Sequence, residues 1–334
     1  MTMNGKDPAT RRLACDYIRR GIKILREHLE GAKTAKDIED VHQVRVACRR
    51  TRAALRLLGD CFEAKSISEW QKRIKKLLKS FGAARDLDVQ IVFLEGVVES
   101  LTKEQKKLRP GVTRMLLRWK QKRQEIQKSV IQSINRLEKS RILMSMHLET
   151  ERILFEQRGN KPPLLSSSLA ERIQGNATHH LDQVCNLLRV LGNPDDCGGH
   201  HRLRIAIKKL RYTFEIADQV WDGKARELIR QFKKLQTLLG DLHDCDVWIE
   251  QIDAFIETER QNTLDYFGHT RSFNRLLPGL DYLRAQRQAD HRQLFEQTCR
   301  FAEEMDRTDQ WKKIEMFLQE QQEVASAQSA VELT

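Results

Sequence analysis

A chain of 334 residues with 40% hydrophobic content can bury one large core or two of ordinary size, and a formal charge of +12 makes it attractive to polyanions in general. Aromatics at 6%, with sixteen Gly and six Pro, argue against an aromatic-rich β architecture and favour long helices with short connections. The seven Cys form no CxxC pair, the N-terminus lacks the apolar run of an export signal, and no uninterrupted apolar span reaches about 18 residues, so reduced thiols, a cytoplasmic setting and no integral membrane association are expected.

In chain order, Asp7 or Thr10 caps a first helix with Pro8 at its start. Leu13, Tyr17, Ile18, Ile22, Leu25 and Leu29 form its apolar side, and Gly31 is expected to end it. Asp37 opens a second helix that stops near Gly59. A third, capped by Ser66 or Ser68, packs through Trp70, Ile74, Leu77, Leu78 and Phe81, and a fourth is expected after Gly82, in AARDLDVQIVFLEGVVESL. Pro110 and Gly111 mark the next break, before a long polar helical segment, Val112 to Gln157, bent or split between Ser129 and Ser145.

RGNKPPLLSS at 158–167 reads as a linker between a domain at 8–157 and a second at 168–323. The second half takes the same course. It has a helix over 169–191, a turn GNPDDCGG at 192–199, helices over 201–221, 225–239 and 241–259, a long candidate over 283–323, and a weakly ordered tail over 324–334. The expected fold class is all-α, with about four principal helices in each half packed as a four-helix bundle.

Two stretches carry the chemistry. At roughly 100° per residue, His42, Arg45, Arg49, Arg52 and Arg56 fall within an arc of roughly 80°, opposite Val44, Cys48, Thr51, Leu55 and Leu58. Like charges three and four residues apart weaken a helix by a few tenths of a kcal/mol per pair, so an anion must compensate this stripe. His201, Arg204, Lys208, Lys209 and Arg211 repeat His42, Arg45, Arg49, Arg50 and Arg52 at an offset of 159. FGAARDLDV at 81–89 parallels LGDLHDCDV at 239–247 at an offset of 158, pairing Gly82 with Gly240, Arg85 with His243, Asp86 with Asp244 and Asp88 with Asp246. Two motifs, in order and duplicated, point to an internal duplication.

Together with Tyr212, these residues resemble the CHAD family, the conserved histidine α-helical domain, over roughly residues 10–320. The resemblance implies two pseudo-symmetric four-helix bundles whose basic residues surround a central groove or pore that binds inorganic polyphosphate. Some members are linked to a CYTH triphosphatase domain. This sequence has little room for one and no ExExK segment near its start, so hydrolysis is not carried over with the fold.

A linear polyphosphate presents repeated anionic oxygens and suits a distributed basic surface. Arg45, Arg49 and Arg52, with Arg204, Lys208 and Arg211, have the reach for it, arginine through forked contacts and lysine as a point charge. His42 and His201 either touch phosphate or set the stripe's position through a hydrogen bond. Arg50 and Lys209 fall at the groove edge or in solvent. Arg56, Lys72, Lys76, Lys79, Arg85, Arg226, Arg230, Lys233 and Lys234 are auxiliary binding candidates, with a solvated face as the plain alternative for the lysines.

Asp86, Asp88, Asp244 and Asp246 are expected to orient basic neighbours or cap a helix after Gly82 or Gly240, with ligand organisation and metal coordination as weaker alternatives. Tyr212 packs or touches the phosphate edge, and His243 is a structural candidate. No nucleophile has a base beside it, there is no GxxxxGK[ST] phosphate loop, and neither a metal site nor a cofactor is expected. The leading expectation is a non-catalytic polyphosphate-binding module associated with polyphosphate granules or with polyphosphate-associated proteins. General RNA or DNA binding, with nucleic acid as a weaker polyanion competitor, a phosphate-processing enzyme and a basic structural adaptor for acidic protein partners are the alternatives.

Overall fold

The computed structural model describes residues 7–158 and 165–332, so Gly159, Pro162 and Pro163 of the expected linker lie outside it. Among the described residues there are ten α-helices and no strand: α1 Pro8–Thr34, α2 Ile38–Leu57, α3 Ala64–Ser100, α4 Arg109–Lys139, α5 Ile142–Glu156, α6 Ser167–Leu187, α7 Cys197–Ala217, α8 Arg226–Phe267, α9 Leu277–Arg307 and α10 Gln310–Glu332. The starts follow local chemistry. Asp7 accepts from the Thr10 N–H at 2.8 Å, Asp37 from Glu39 N–H at 2.8 Å, Ser166 from Leu169 N–H at 3.2 Å and Asp196 from Gly199 N–H at 2.8 Å.

Several expected boundaries move. Gly82 and Gly240 lie inside continuous helices, α3 and α8, so Asp86, Asp88, Asp244 and Asp246 are interior residues and cannot cap. Glycine costs a helix interior only about 1 kcal/mol, which the packing of a long helix outweighs. Gly31 does not end α1, which runs on to Thr34 and closes on the left-handed Ala35. A Cβ on Gly31 would meet Asp40 Oδ2 at 2.0 Å, so this glycine lets the start of α2 approach. The long segment after Pro110 does split, at the left-handed Arg141, and its counterpart splits at Asp309. The expected tail is helical through Glu332, because Ile314, Leu318 and Ala325 reach the core.

One large core gathers α1, α2 and α5 with the first half of α3, and α6, α7 and α10 with the first half of α8. A second core forms where the far ends of α3 and α4 meet those of α8 and α9. Here Trp119 meets Phe255 edge-on at 5.4 Å, Phe93 meets Trp248 at 5.1 Å, and Gln90 donates to Gln251 at 2.7 Å. Arg114 and Arg118 of α4 both donate to the buried Glu259 of α8, at 2.6 and 2.9 Å. Each half therefore supplies groups that the other half must satisfy.

Candidate functional site

α2 and α7 pack against each other across the two halves. Each commits one side to the core, α2 through Val44, Ala47, Cys48 and Leu55, α7 through Leu203, Ile207, Leu210 and Phe214, so their basic edges face a shared space. Arg45, Arg49, Arg204 and Lys208 form its centre. Burial, then Arg49, Arg204, Arg45 and Arg211, push the Lys208 ammonium down to about 8. Burial also lowers Arg45 and Arg204, with Arg49 adding to both.

The acidic residues of α3 and α8 temper this charge. Asp86 Oδ1 lies 3.9 Å from Arg45 Nη2; its side chain is 68% exposed, so only partial desolvation by the surrounding protein raises its carboxyl, against the pull of Arg45, Arg49 and Arg204. Burial lifts Asp244 to about 6 against Arg204, with Asp241 and Asp86 adding to the rise. The cations are still not saturated: among the described residues Arg49 Nε and Arg204 Nε are buried with no hydrogen-bond partner. Buried donors of that kind cost roughly 1–3 kcal/mol each unless something accepts from them.

The repeat mismatch of Arg85 and His243 acquires a common place. His42 is held below its ordinary value by burial and by Arg85, and the His201 ring sits 4.5 Å from the His243 ring, with burial and then Arg204 lowering it. Each stripe-starting histidine thus faces the basic or aromatic residue that the second motif brings to it. His243 is itself pushed down to about 4, mainly by burial, so it is neutral at physiological pH.

Two clefts flank the centre, and they differ. In one, Arg50 Nε is 3.6 Å from Glu215, which also accepts from Arg211 at 2.7 Å; Arg20 and Arg226 line the same cleft. Arg211 further donates to Gln236 at 3.0 Å and stacks 4.8 Å from the Tyr212 ring, so its guanidinium is largely committed within the protein. In the other, Lys209 and Arg56 share a cleft with His180, Asn176 and Tyr212, and no carboxylate lines it. Arg52 continues the stripe, lowered by burial and by Arg56.

The outlying candidates are not gathered with this cluster. Lys72, Lys76, Lys79 and Lys233 are exposed on α3 and α8, Arg230 pairs with Glu227, and Lys234 lies over the Phe301 ring at 4.3 Å. Asp88 accepts from Arg123 of α4 at 2.6 Å, and Asp246 Oδ1 lies 3.1 Å from His291 Nε2 of α9, so both brace the following helix. Arg20, His180 and Glu215 enter the clefts without having been singled out as site residues. Glu215 stands where the repeat has Arg56, an acidic exception that the sequence already shows.

The CHAD domain model matches residues 16–253, which covers most of the chain. The chain belongs to the CHAD family. The match ends within α8, but the similarity of fold extends further. The crystal structure of the CHAD domain from the plant Ricinus communis aligns over 87% of this chain and 93% of its own, with 20% identity and a TM-score of 0.58. PptA from Streptomyces chartreusis aligns over 86% and 98%, with 14% identity and a TM-score of 0.59. At these identities the likeness establishes the CHAD fold alone. No curated protein matches the sequence. Among the described residues no helix is long and apolar enough to cross a membrane.

Proposed function

We propose that this CHAD protein is a non-catalytic binding module for inorganic polyphosphate. The polymer lies in a basic groove between two duplicated four-helix bundles, on the edges of α2 and α7. The observation that carries the reading is the set Arg45, Arg49, Arg204 and Lys208, four cations from two halves with buried, unpartnered Nε atoms on Arg49 and Arg204; burial first, and then the neighbouring cations, depress Lys208 to about 8. A fold pays that electrostatic cost where a polyanion relieves it.

His42 with Arg85 and His201 with His243 mark the two ends of the groove. The cleft of Arg56, Lys209 and His180 extends its positive field on one side. The proposed contacts are to phosphate oxygens and read no base, a mode that nucleic acid shares without sequence specificity, which makes RNA the competitor to test. Association with polyphosphate granules in the cytoplasm, and recruitment of proteins found there, follow from the same binding.

The test is a titration of the purified protein with polyphosphate of defined lengths at low and moderate salt, with RNA as competitor and Arg45→Ala/Arg204→Ala as the paired control. Length-dependent binding that resists RNA and drops at least tenfold in the folded double variant is expected, since each charge-assisted contact is worth roughly 1.5–3 kcal/mol. Equal affinity for RNA reduces the function to general polyanion attraction. No binding at either salt concentration sinks the reading.

A further inference from the structure

The repeat that equates Asp88 with Asp246 extends to the residues that face them. α4 and α9 each begin with a Pro-Gly step, Pro110-Gly111 and Pro278-Gly279, 168 residues apart. A Cβ on Gly111 would meet the Leu276 carbonyl at 2.1 Å and one on Gly279 would meet the Leu108 carbonyl at 2.0 Å, a reciprocal contact in which 108 and 276 are again 168 apart. In that register Arg123 corresponds to His291. At the offset of 159, Ile38 at the start of α2 corresponds to Cys197 at the start of α7.

The first half fills this place with a buried ion pair, Arg123 Nε to Asp88 Oδ1 at 2.6 Å. The second half keeps the aspartate, exchanges the guanidinium for an imidazole and adds a thiol. The Cys197 thiol lies beside Asp246 and His291. Asp246 Oδ2 and His291 Nε2 are buried, and neither has a hydrogen-bond partner, the 3.1 Å approach of His291 Nε2 to Asp246 Oδ1 being poorly aligned. One ligand atom from each of Cys197, Asp246 and His291 lies within 4.8 Å of the other two.

We propose that Cys197, Asp246 and His291 form a binding site for a divalent transition-metal cation, Zn2+ being the best fit, which supplies the positive charge that Arg123 supplies in the first half. Thiolate and imidazole suit Zn2+, whereas Mg2+ and Ca2+ take oxygen ligands. Bonds of about 2.0–2.1 Å to nitrogen and oxygen in a tetrahedron hold those two atoms roughly 3.3 Å apart, close to the separation already present. On binding, the Cys197 thiol releases its proton to solvent, and the fourth position takes a water, since Cys197 is on the exposed side. The ion ties the first turn of α7 to α8 and α9, one helical turn before His201 of the groove.

The test uses the full chain, stripped with a chelator and free of polyphosphate, which itself binds metals. Zn2+ is titrated against a chromophoric chelator, and Co2+ is added as a spectroscopic probe. The wild type is expected to bind one equivalent, to show a thiolate-to-cobalt charge-transfer band and to melt at a higher temperature with Zn2+. Cys197→Ser should lose the band and at least tenfold in affinity, in line with the roughly 10–100-fold that even outer-sphere partners contribute. His291→Arg rebuilds the first half's ion pair, so it should fold, bind no equivalent at the site and show no Zn2+-dependent rise in melting temperature. Absence of binding by the wild type, an unchanged equivalent in His291→Arg, or an unchanged affinity and cobalt spectrum in Cys197→Ser would overturn the proposal.

Discussion

The two halves share a backbone plan and differ in where their charges are compensated. Gly111 and Gly279 make the same close approach in opposite directions, and α2 and α7 offer their basic edges to one space. Around that frame, Arg50 has Glu215 at 3.6 Å, while the equivalent Lys209 shares its cleft with Arg56. Asp88 has Arg123, and Asp246 has His291 and Cys197. Apolar positions are fixed by close packing, where even a methylene is felt, whereas a charge at a groove or seam can be exchanged if its partner changes too. Two halves with the same helix order can therefore keep their shape while the charges at the groove and seam change partners.

The two aspartates, Asp88 and Asp246, should differ most in stability when their partners are removed. Arg123→Ala leaves Asp88 buried and unpaired and should cost about 3–5 kcal/mol of stability. His291→Ala, measured in chelated protein, removes a ring that makes no aligned hydrogen bond to Asp246, so only its packing is lost and the cost should be about 1–2 kcal/mol. Urea unfolding of both variants, at constant m-value, measures the difference. Equal losses would mean that His291 pairs with Asp246 as an ordinary cation, and the contrast between the halves would vanish.

A pH series sharpens the contrast at the groove. Lys208 of α7, pushed down to about 8, faces Arg45 and Arg49 of α2 and lies near Arg204 and Arg211 on its own helix. Under the proposed function, polyphosphate takes the protonated ammonium, so affinity should be full below about 8 and fall above it, by at most about tenfold per pH unit for a single proton. Folding runs the other way. The folded state holds this proton less tightly than the unfolded chain, so the Lys208 contribution to stability is unfavourable below about 8 and is relieved as pH rises from there towards the ordinary lysine value. Lys208→Arg keeps the charge and should flatten the alkaline limb of binding. A limb unchanged in that variant would assign it to another group.

Much of this organisation can be read from residue order. The 3.6-residue periodicity of α1, α2, α6 and α7 and the duplicated basic stripe stand out because both depend on local spacing. The continuity of α3 and α8 does not. Gly82 looks like a terminator until Arg45, from another helix, is seen lying over it. The correspondence of Arg123 with His291 is hidden for a different reason: the connection from α3 to α4 spans residues 101–108 and that from α8 to α9 spans 268–276, and α8 is itself longer, so the offset grows from 158 to 168. Glu215 is likewise visible only as an exception to the repeat, and its part in neutralising Arg50 depends on how α2 crosses α7, which no local pattern encodes.

The smallest effect separates the two glycines. Gly240 has open space where a Cβ would go, so Gly240→Ala should stabilise α8 by about 0.5–1 kcal/mol and leave polyphosphate affinity unchanged. At Gly82 a Cβ would come within 2.9 Å of Arg45 Nη1, the movable end of a long side chain. Gly82→Ala should therefore give a helix gain of similar size but displace a guanidinium from the centre of the groove, with a few-fold loss of affinity. Paired thermal melts and polyphosphate titrations decide it. Loss of affinity in both variants would mean that the glycines act through helix flexibility, and loss in neither would mean that Arg45 reaches the polymer equally well from its displaced position.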